Sequence, residues 1–220
     1  HLKGADMTHQ YLIELASLMA IFSFAIVVPG ADTAMVMRQA IVHGRKAAIL
    51  TSFGIGTALM FHVTYTILGL GLVISKSIML FNVIKWAGVA YLIYIGIQSL
   101  RAGSADLDTG AVSAAEKGTT QSAFKGFGLG FMANALNPKP VFFFLSIFST
   151  VVSHDTPSMV KFGYGLVMAS CLIAWFVAVS FFLTTPAMRA AFEKASKWIN
   201  RVSGAVFIAF GLKLATEKAG

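Results

Sequence analysis

Six mostly apolar stretches, separated by short polar connections, decide what this chain can fold into. They cover residues 11–28, 47–74, 78–100, 123–152, 157–184 and 198–215. A helix that crosses a bilayer needs about 20 such residues. Lipid offers no partner to a backbone N–H or C=O, so only structures that satisfy those groups internally can cross it. The expectation is therefore an all-α, polytopic membrane protein with six transmembrane helices. The second and fifth stretches exceed the required length and are expected to tilt. Composition excludes the soluble alternative: 57% of the 220 residues are hydrophobic and only 12% are charged, against about 25% charged in soluble domains. In water, that much apolar surface would drive aggregation.

The net charge of +8 does not point to nucleic acid. The basic residues lie between the apolar runs and form no Lys/Arg-rich face with interleaved aromatics. A single cysteine, Cys171, excludes an internal disulfide and a cysteine metal cluster; within an apolar run it reads as a small packing residue. Residues 1–6 read as a remnant ahead of a native start at Met7, and no cleavable signal-peptide pattern is present.

The two halves of the chain echo each other. Pro29 and Pro138 stand 109 residues apart, and Phe53-Gly54-Ile55-Gly56 recurs as Phe162-Gly163-Tyr164-Gly165 at the same offset. Lys85-Trp86-Ala87-Gly88 recurs as Arg201-Val202-Ser203-Gly204, 116 residues on. The reading is a duplicated three-helix unit, with residues 7–102 as the first repeat, 103–120 as a polar cytoplasmic linker and 121–220 as the second. Because three is odd, the second copy must cross in the opposite direction, giving two inverted-topology repeats with the first helix of each broken at proline. Inverted repeats of this kind build many secondary transporters.

Lys and Arg set the orientation. Arg38, Arg45, Lys46, Arg101, Lys117, Lys125, Arg189, Lys194, Lys197 and Arg201 fall on one side, and Lys3, Lys76, Lys85, Lys161, Lys213 and Lys218 on the other. The richer side is expected to be cytoplasmic, with both termini periplasmic.

The breaks locate the candidate site. Proline inside a helix removes a backbone donor and clashes with the preceding turn. One break falls at Val28-Pro29-Gly30-Ala31-Asp32-Thr33, the other at Asn134-Ala135-Leu136-Asn137-Pro138-Lys139-Pro140. Matched interruptions of this kind point to a transporter binding site. A half-helix starting after each break would present free N–H groups and a positive dipole end to a carboxylate. Lys139 would add charge for the same group, and Asp32 would pair with an ammonium. The candidate substrate or coupling residues are thus Pro29, Gly30, Asp32, Asn134, Asn137, Pro138 and Lys139. Structural readings stand beside these. Asp32 suits an N-cap for a helix beginning at Thr33, and Asn137-Pro138 suits a cap with a first-turn proline. Lys139 suits snorkelling to an interface. A charge at mid-membrane costs at least about 2.5–3.5 kcal/mol on insertion scales, which favours function. His62, deep in the second stretch with Tyr65 one turn on, is a candidate proton relay or a hydrogen-bonded structural histidine. The pairs Gly54/Gly56 and Gly163/Gly165 are expected to let helices pack closely against the broken ones.

No Walker loop, HExxH or nucleophile elbow is present. The chain reads as no enzyme, with no cofactor or metal site, so transport would be driven by an ion gradient or the membrane potential.

Pro29-Gly30-Ala31-Asp32-Thr33, Arg38, His43-Gly44-Arg45-Lys46-Ala47, Gly54-x-Gly56, Lys85-Trp86-Ala87-Gly88-x-Ala90-Tyr91-Leu92 and Asn137-Pro138-Lys139 follow in the order found in one family. The chain resembles the lysine exporter and homoserine/threonine exporter (LysE/RhtB) family across essentially all of residues 7–215. That resemblance implies a bacterial inner-membrane exporter of amino acids or close derivatives, coupled to proton entry and acting as a homodimer in the lipid bilayer. By resemblance, Pro29, Gly30, Asp32, Asn137, Pro138 and Lys139 match the family's motif positions. Many relatives carry Pro-Gly-Pro where this chain has Pro29-Gly30-Ala31, a departure that bears on specificity. A heavy-metal or divalent-cation exporter is the alternative. It would want several intramembrane carboxylates, histidines or cysteines, and the deep candidates are only Asp32 and His62, with the orientation of Cys171 open. A membrane scaffold would have no need of matched breaks.

Overall fold

The computed structural model describes residues 2–105 and 122–217, all in helices and short connections. The helices are α1 (Leu2–Val27), α2 (Ala31–His43), α3 (Arg45–Lys76), α4 (Ile78–Arg101), α5 (Ala123–Ala135), α6 (Pro138–Val151), α7 (Ser158–Phe182) and α8 (Pro186–Glu217). Five of them, α1, α3, α4, α7 and α8, are long and apolar enough to cross a membrane, and α6 is a shorter apolar helix. The chain is a polytopic all-α membrane protein. Residues 106–121, most of the expected linker, lie outside the described residues, as do His1 and residues 218–220. Ahead of Met7 the described backbone is already helical and continuous with α1.

The prolines break the chain where the sequence indicates. α1 ends ahead of Pro29 and α2 resumes at Ala31, while α5 ends at Ala135 and α6 resumes at Pro138. α2 then doubles back onto α3 through one residue, Gly44, whose φ of 86° lies in the left-handed region that glycine adopts without a Cβ penalty.

Contacts at small residues fix the helix directions. A Cβ at Gly56 would run into Ile173, and one at Gly165 would meet Val63; α3 and α7 therefore run antiparallel. Gly96 faces Gly204 and Ile208, while Gly204 faces Gly96 and Leu100, so α4 and α8 are antiparallel too. Gly126 lies against Ala47, and Gly130 against Thr51, which makes α5 parallel to α3. Gly88 meets Ser146 and the Tyr91 hydroxyl reaches the Lys139 carbonyl, so α6 runs against α4. These directions gather Arg45, Arg101, Lys125 and Arg189 at one end of the bundle and Lys76, Lys161 and Lys213 at the other.

The α4–α8 contact is reciprocal: Gly96 with Ile208, and Gly204 with Leu100. Both matched pairs, Gly96/Gly204 and Leu100/Ile208, stand 108 residues apart. Gly88, matched with Gly204 at the offset of 116 in the sequence, packs on α6 rather than on α8.

In lipid, helices gain little by hiding apolar surface from one another, and association rests on close packing. The tightest approach is between α3 and α5. A Cβ at Gly54 would collide with the Phe127 carbonyl, and one at Gly130 with the Thr51 carbonyl. The Thr51 hydroxyl also donates across this seam to the Gly126 carbonyl, 3.0 Å away. Of the four candidate packing glycines, only Gly54 meets a broken helix. Gly56 and Gly165 serve the α3–α7 crossing, and Gly163 has open space around it, which corrects the expectation for those three. Phe53, Phe61, Leu68 and Leu72 lie exposed on α3 at roughly helical spacing, opposite a buried face of Ile55, Leu59, His62 and Val63. In lipid such a face needs no further cover.

Candidate functional site

The two breaks meet. Asp32, in the first turn of α2, accepts a hydrogen bond through Oδ2 from Nδ2 of Asn134, near the end of α5, at 2.8 Å. Each side chain keeps one buried oxygen without a partner: Asp32 Oδ1 and Asn134 Oδ1. Buried acceptors are ordinarily satisfied, and leaving one unpaired costs about 1–3 kcal/mol. The two residues that carry these unpaired oxygens are joined by the Asn134–Asp32 hydrogen bond.

Asp32 and Asn134 line a cavity of about 590 Å³ to which both breaks and α4 contribute. Its wall is apolar at Phe22, Leu59, Phe144 and Phe176 and polar at Tyr94, Gln98, Ser99 and Asn200. Gln98, Ser99 and Ala102 on this wall belong to the C-terminal end of α4, so the cavity leads to the end of the bundle that carries Arg45 and Arg101.

The two half-helix N-termini differ. α2 begins with Gly30 as its N-cap and no side chain capping it, so Asp32 is not the cap, contrary to that expectation. The helix starts two residues earlier than a cap at Asp32 would require, and the carboxylate is left free to face Asn134. The first-turn N–H groups of α2 remain available to an anion. α6 is closed instead. Asn137 accepts from the Lys139 N–H at 3.0 Å, as expected for a cap before Pro138, and Pro138 and Pro140 have no N–H to offer. The expectation of free N–H groups at both breaks holds for α2 and is corrected for α6.

Lys139 is exposed and lines the cavity with Pro29, Gly30, Asn137 and Pro138. No ion pair joins its ammonium to the Asp32 carboxylate among the described residues. The first turn of α6 is steadied by the Tyr91 hydroxyl, which donates to the Lys139 carbonyl at 3.3 Å.

His62 is fully buried and stands behind the cavity wall. Its Nε2 lies 3.2 Å from the Asn134 carbonyl, an acceptor, so this nitrogen carries a proton. Nδ1 lies 2.7 Å from the Tyr65 hydroxyl, which donates to it in the neutral ring. The ring also stacks on Phe144 at an interplanar angle of 12°. A satisfied histidine, sharing the Asn134 carbonyl with the Asn137 N–H at 3.0 Å, positions Asn134. Among the described residues, no group of three or more His, Cys, Asp or Glu side chains could hold a metal ion.

Sequence reasoning passed over Tyr94, Gln98 and Asn200. The first two share a stripe with Tyr91 on an otherwise apolar helix, and polar residues at that spacing were the available signal. Asn200 gave none, because it reaches the cavity only through the packing of α8 on α4.

The LysE-type translocator family model matches residues 23–218. The chain is 32% identical over 191 residues to the threonine efflux protein of Escherichia coli K12, covering 86% of this chain and 91% of the relative. It is 30% identical over 194 residues to the homoserine/homoserine lactone efflux protein of Salmonella typhimurium, covering 86% and 90%. It is also 30% identical over 206 residues to the uncharacterized membrane protein YrhP of Bacillus subtilis, covering 90% and 97%. No solved structure matches the chain.

Proposed function

The chain belongs to the LysE-type translocator family, and from that premise we propose that it is a secondary active exporter of amino acids or close derivatives across the bacterial inner membrane, driven by the proton-motive force. One observation carries this reading: the unpartnered oxygens of Asp32 and Asn134, buried where the two breaks meet. An ammonium brings three N–H donors and a positive charge, which suit one charged and one neutral acceptor. The carboxylate of the same zwitterion would lie toward the uncapped N-terminus of α2 and Lys139. The cavity wall carries one acid and one base, so a substrate with no net charge fits best. A charged side chain would enter without a counter-charge. Threonine and homoserine, named for the relatives, are the substrates to try first.

Exchange follows from one carboxylate serving two ligands. Facing the cytoplasm, Asp32 is ionised and holds the substrate ammonium. Facing outward, a proton takes the carboxylate and the ammonium leaves. The proton then returns inward with the empty site. His62 takes no proton in this scheme and fixes the Asn134 carbonyl.

The architecture proposed for this cycle is six crossings in two inverted three-helix repeats. α1 with α2, and α5 with α6, form the broken crossings. The reciprocal α4–α8 contacts support it, as does the antiparallel run of α3 and α7. The end that gathers Arg45, Arg101, Lys125 and Arg189 is assigned to the cytoplasm, which makes the cavity inward-facing and places both termini outside.

The test is a tolerance screen. Cells overproducing the protein should survive inhibitory levels of one or more amino acids or analogues that arrest control cells. Unchanged tolerance to every amino acid and analogue, with the protein in the membrane, would overturn the reading.

A further inference from the structure

A second buried carboxylate lies at the opposite end of the bundle. Glu14 of α1 is 6% exposed. Its Oε1 accepts from the Ser153 backbone N–H at 3.0 Å and from Gln10 Nε2 at 3.2 Å. The Thr156 hydroxyl stands 2.9 Å from both carboxylate oxygens, and the Tyr164 hydroxyl is 2.9 Å from Oε2. Tyr164 has a second acceptor within reach, the Tyr11 carbonyl at 3.2 Å. The carboxylate thus gathers donors from α1, from the connection between α6 and α7, and from α7. No cation pairs with it among the described residues; Lys161 donates instead to the His154 carbonyl.

The position gives this hub its meaning. Ser153 follows the C-terminal end of α6, whose N-terminal end carries Pro138 at the cavity. α6 runs against α4, so Glu14 and the cavity mouth at Gln98 and Ala102 lie at opposite ends. Between Glu14 and the cavity-lining Phe22 and Phe144, Leu18 and Ile21 of α1 and Ile147 and Phe148 of α6 are buried in one apolar core. The Phe22 and Phe144 ring centroids are 6.2 Å apart. This buried apolar layer lies at the far end of the cavity. Opening it requires α1 to part from α6 and α7, and the Glu14 hydrogen bonds span that parting surface.

We propose that Glu14 is the latch of the outer gate, a positioning residue that holds α1 to the α6–α7 connection and α7 while the cavity is open to the mouth. This rests on the transport reading, because only a carrier that opens alternately to two sides needs a far end that is closed yet able to part. Hydrogen bonds to a carboxylate are stronger than neutral ones and yet reversible, which suits a closure that must hold and release. A purely apolar seam would set no discrete bonds to break.

The experiment reads sidedness. Ala25, on the cavity wall, is changed to cysteine in a Cys171→Ser background and probed with a membrane-impermeant maleimide in right-side-out and inside-out vesicles. With Glu14 intact, labelling is expected from the mouth face. In Glu14→Gln it should also appear from the opposite face, faster by about tenfold, the shift expected when a charge-assisted hydrogen bond of roughly 1.5 kcal/mol is lost. Tyr164→Phe should move the same way by less. Thermal unfolding in detergent confirms that each variant folds, and Tyr164→Phe carries the test if Glu14→Gln does not. Far-face labelling unchanged in the folded variants would overturn the latch. Labelling absent from the mouth face with Glu14 intact would instead overturn the inward-open cavity, and with it the transport reading, so the two failures are distinguishable.

Discussion

Replacing Asp32 by asparagine removes one charge and almost nothing else. The new side-chain amide can still present an oxygen to Asn134 Nδ2, so the 2.8 Å bond across the breaks persists. No cap is lost, because Gly30 is the N-cap of α2. The cost to stability is confined to the first-turn charge on the helix dipole, about 0.3–1 kcal/mol. The cost to binding is larger. The amide turns an N–H donor toward the place where Oδ1 now waits without a partner, and an ammonium meets a donor in place of an anion. A hydrogen bond to a charged group contributes about 1.5–3 kcal/mol, which corresponds to roughly 10–150-fold in affinity. The assay is exchange of labelled substrate in proteoliposomes, with thermal unfolding measured on the same preparation. The half-saturating concentration should rise by that factor while the unfolding midpoint moves by a few degrees or less. Asp32→Asn with wild-type half-saturation and wild-type gradient-driven efflux would refute the reasoning.

Three further outcomes follow from the same geometry. Lys139→Gln should weaken export by about tenfold, the loss of one charge-assisted contact to the substrate carboxylate, while membrane insertion stays intact; normal export by the well-expressed variant would reduce Lys139 to an interface residue. Gly54→Ala should destabilise the protein by about 1–3 kcal/mol through overpacking, because the new Cβ meets the Phe127 carbonyl, whereas Gly163→Ala should be close to neutral in the same melt, having nothing within 4 Å. Reporter fusions at Gly103 and at the C-terminus should report cytoplasm and exterior respectively, and a shared side would contradict the inverted repeat.

The legible and illegible parts of this protein divide by the range of the interaction. Proline acts on its own turn, so both breaks could be placed from Pro29 and Pro138, and Asn137 could be recognised as a cap because its target is two residues away. Asp32 misled for a related reason: a carboxylate beside a helix start suits a cap, and only the fold shows that the helix begins at Ala31 and that the carboxylate's partner is Asn134. The Gly54 and Gly56 pair promised close packing but not which helix each would meet. Glu14 left no trace in its own neighbourhood, since Ser153, Thr156 and Tyr164 come to it from far along the chain. A lone glutamate near the start of an apolar run resembles an interface residue until those donors surround it. Which small residues meet was not readable either: Gly88 and Gly204 sit in similar sequence, but Gly88 packs on α6, and the crossing of Gly96 with Gly204 became visible through packing alone.

Counterflow in proteoliposomes loaded with unlabelled threonine or homoserine measures the central claim most directly, because it requires binding and crossing but no assumption about the driving ion. Labelled substrate should accumulate transiently. Excess neutral amino acids with both α groups free should compete, and the 2-hydroxy acid lacking the ammonium, or the amide lacking the carboxylate, should compete at least about tenfold less well, each having lost one charge-assisted contact. No counterflow with any of the common amino acids, or equal competition by the 2-hydroxy acid, would contradict the account.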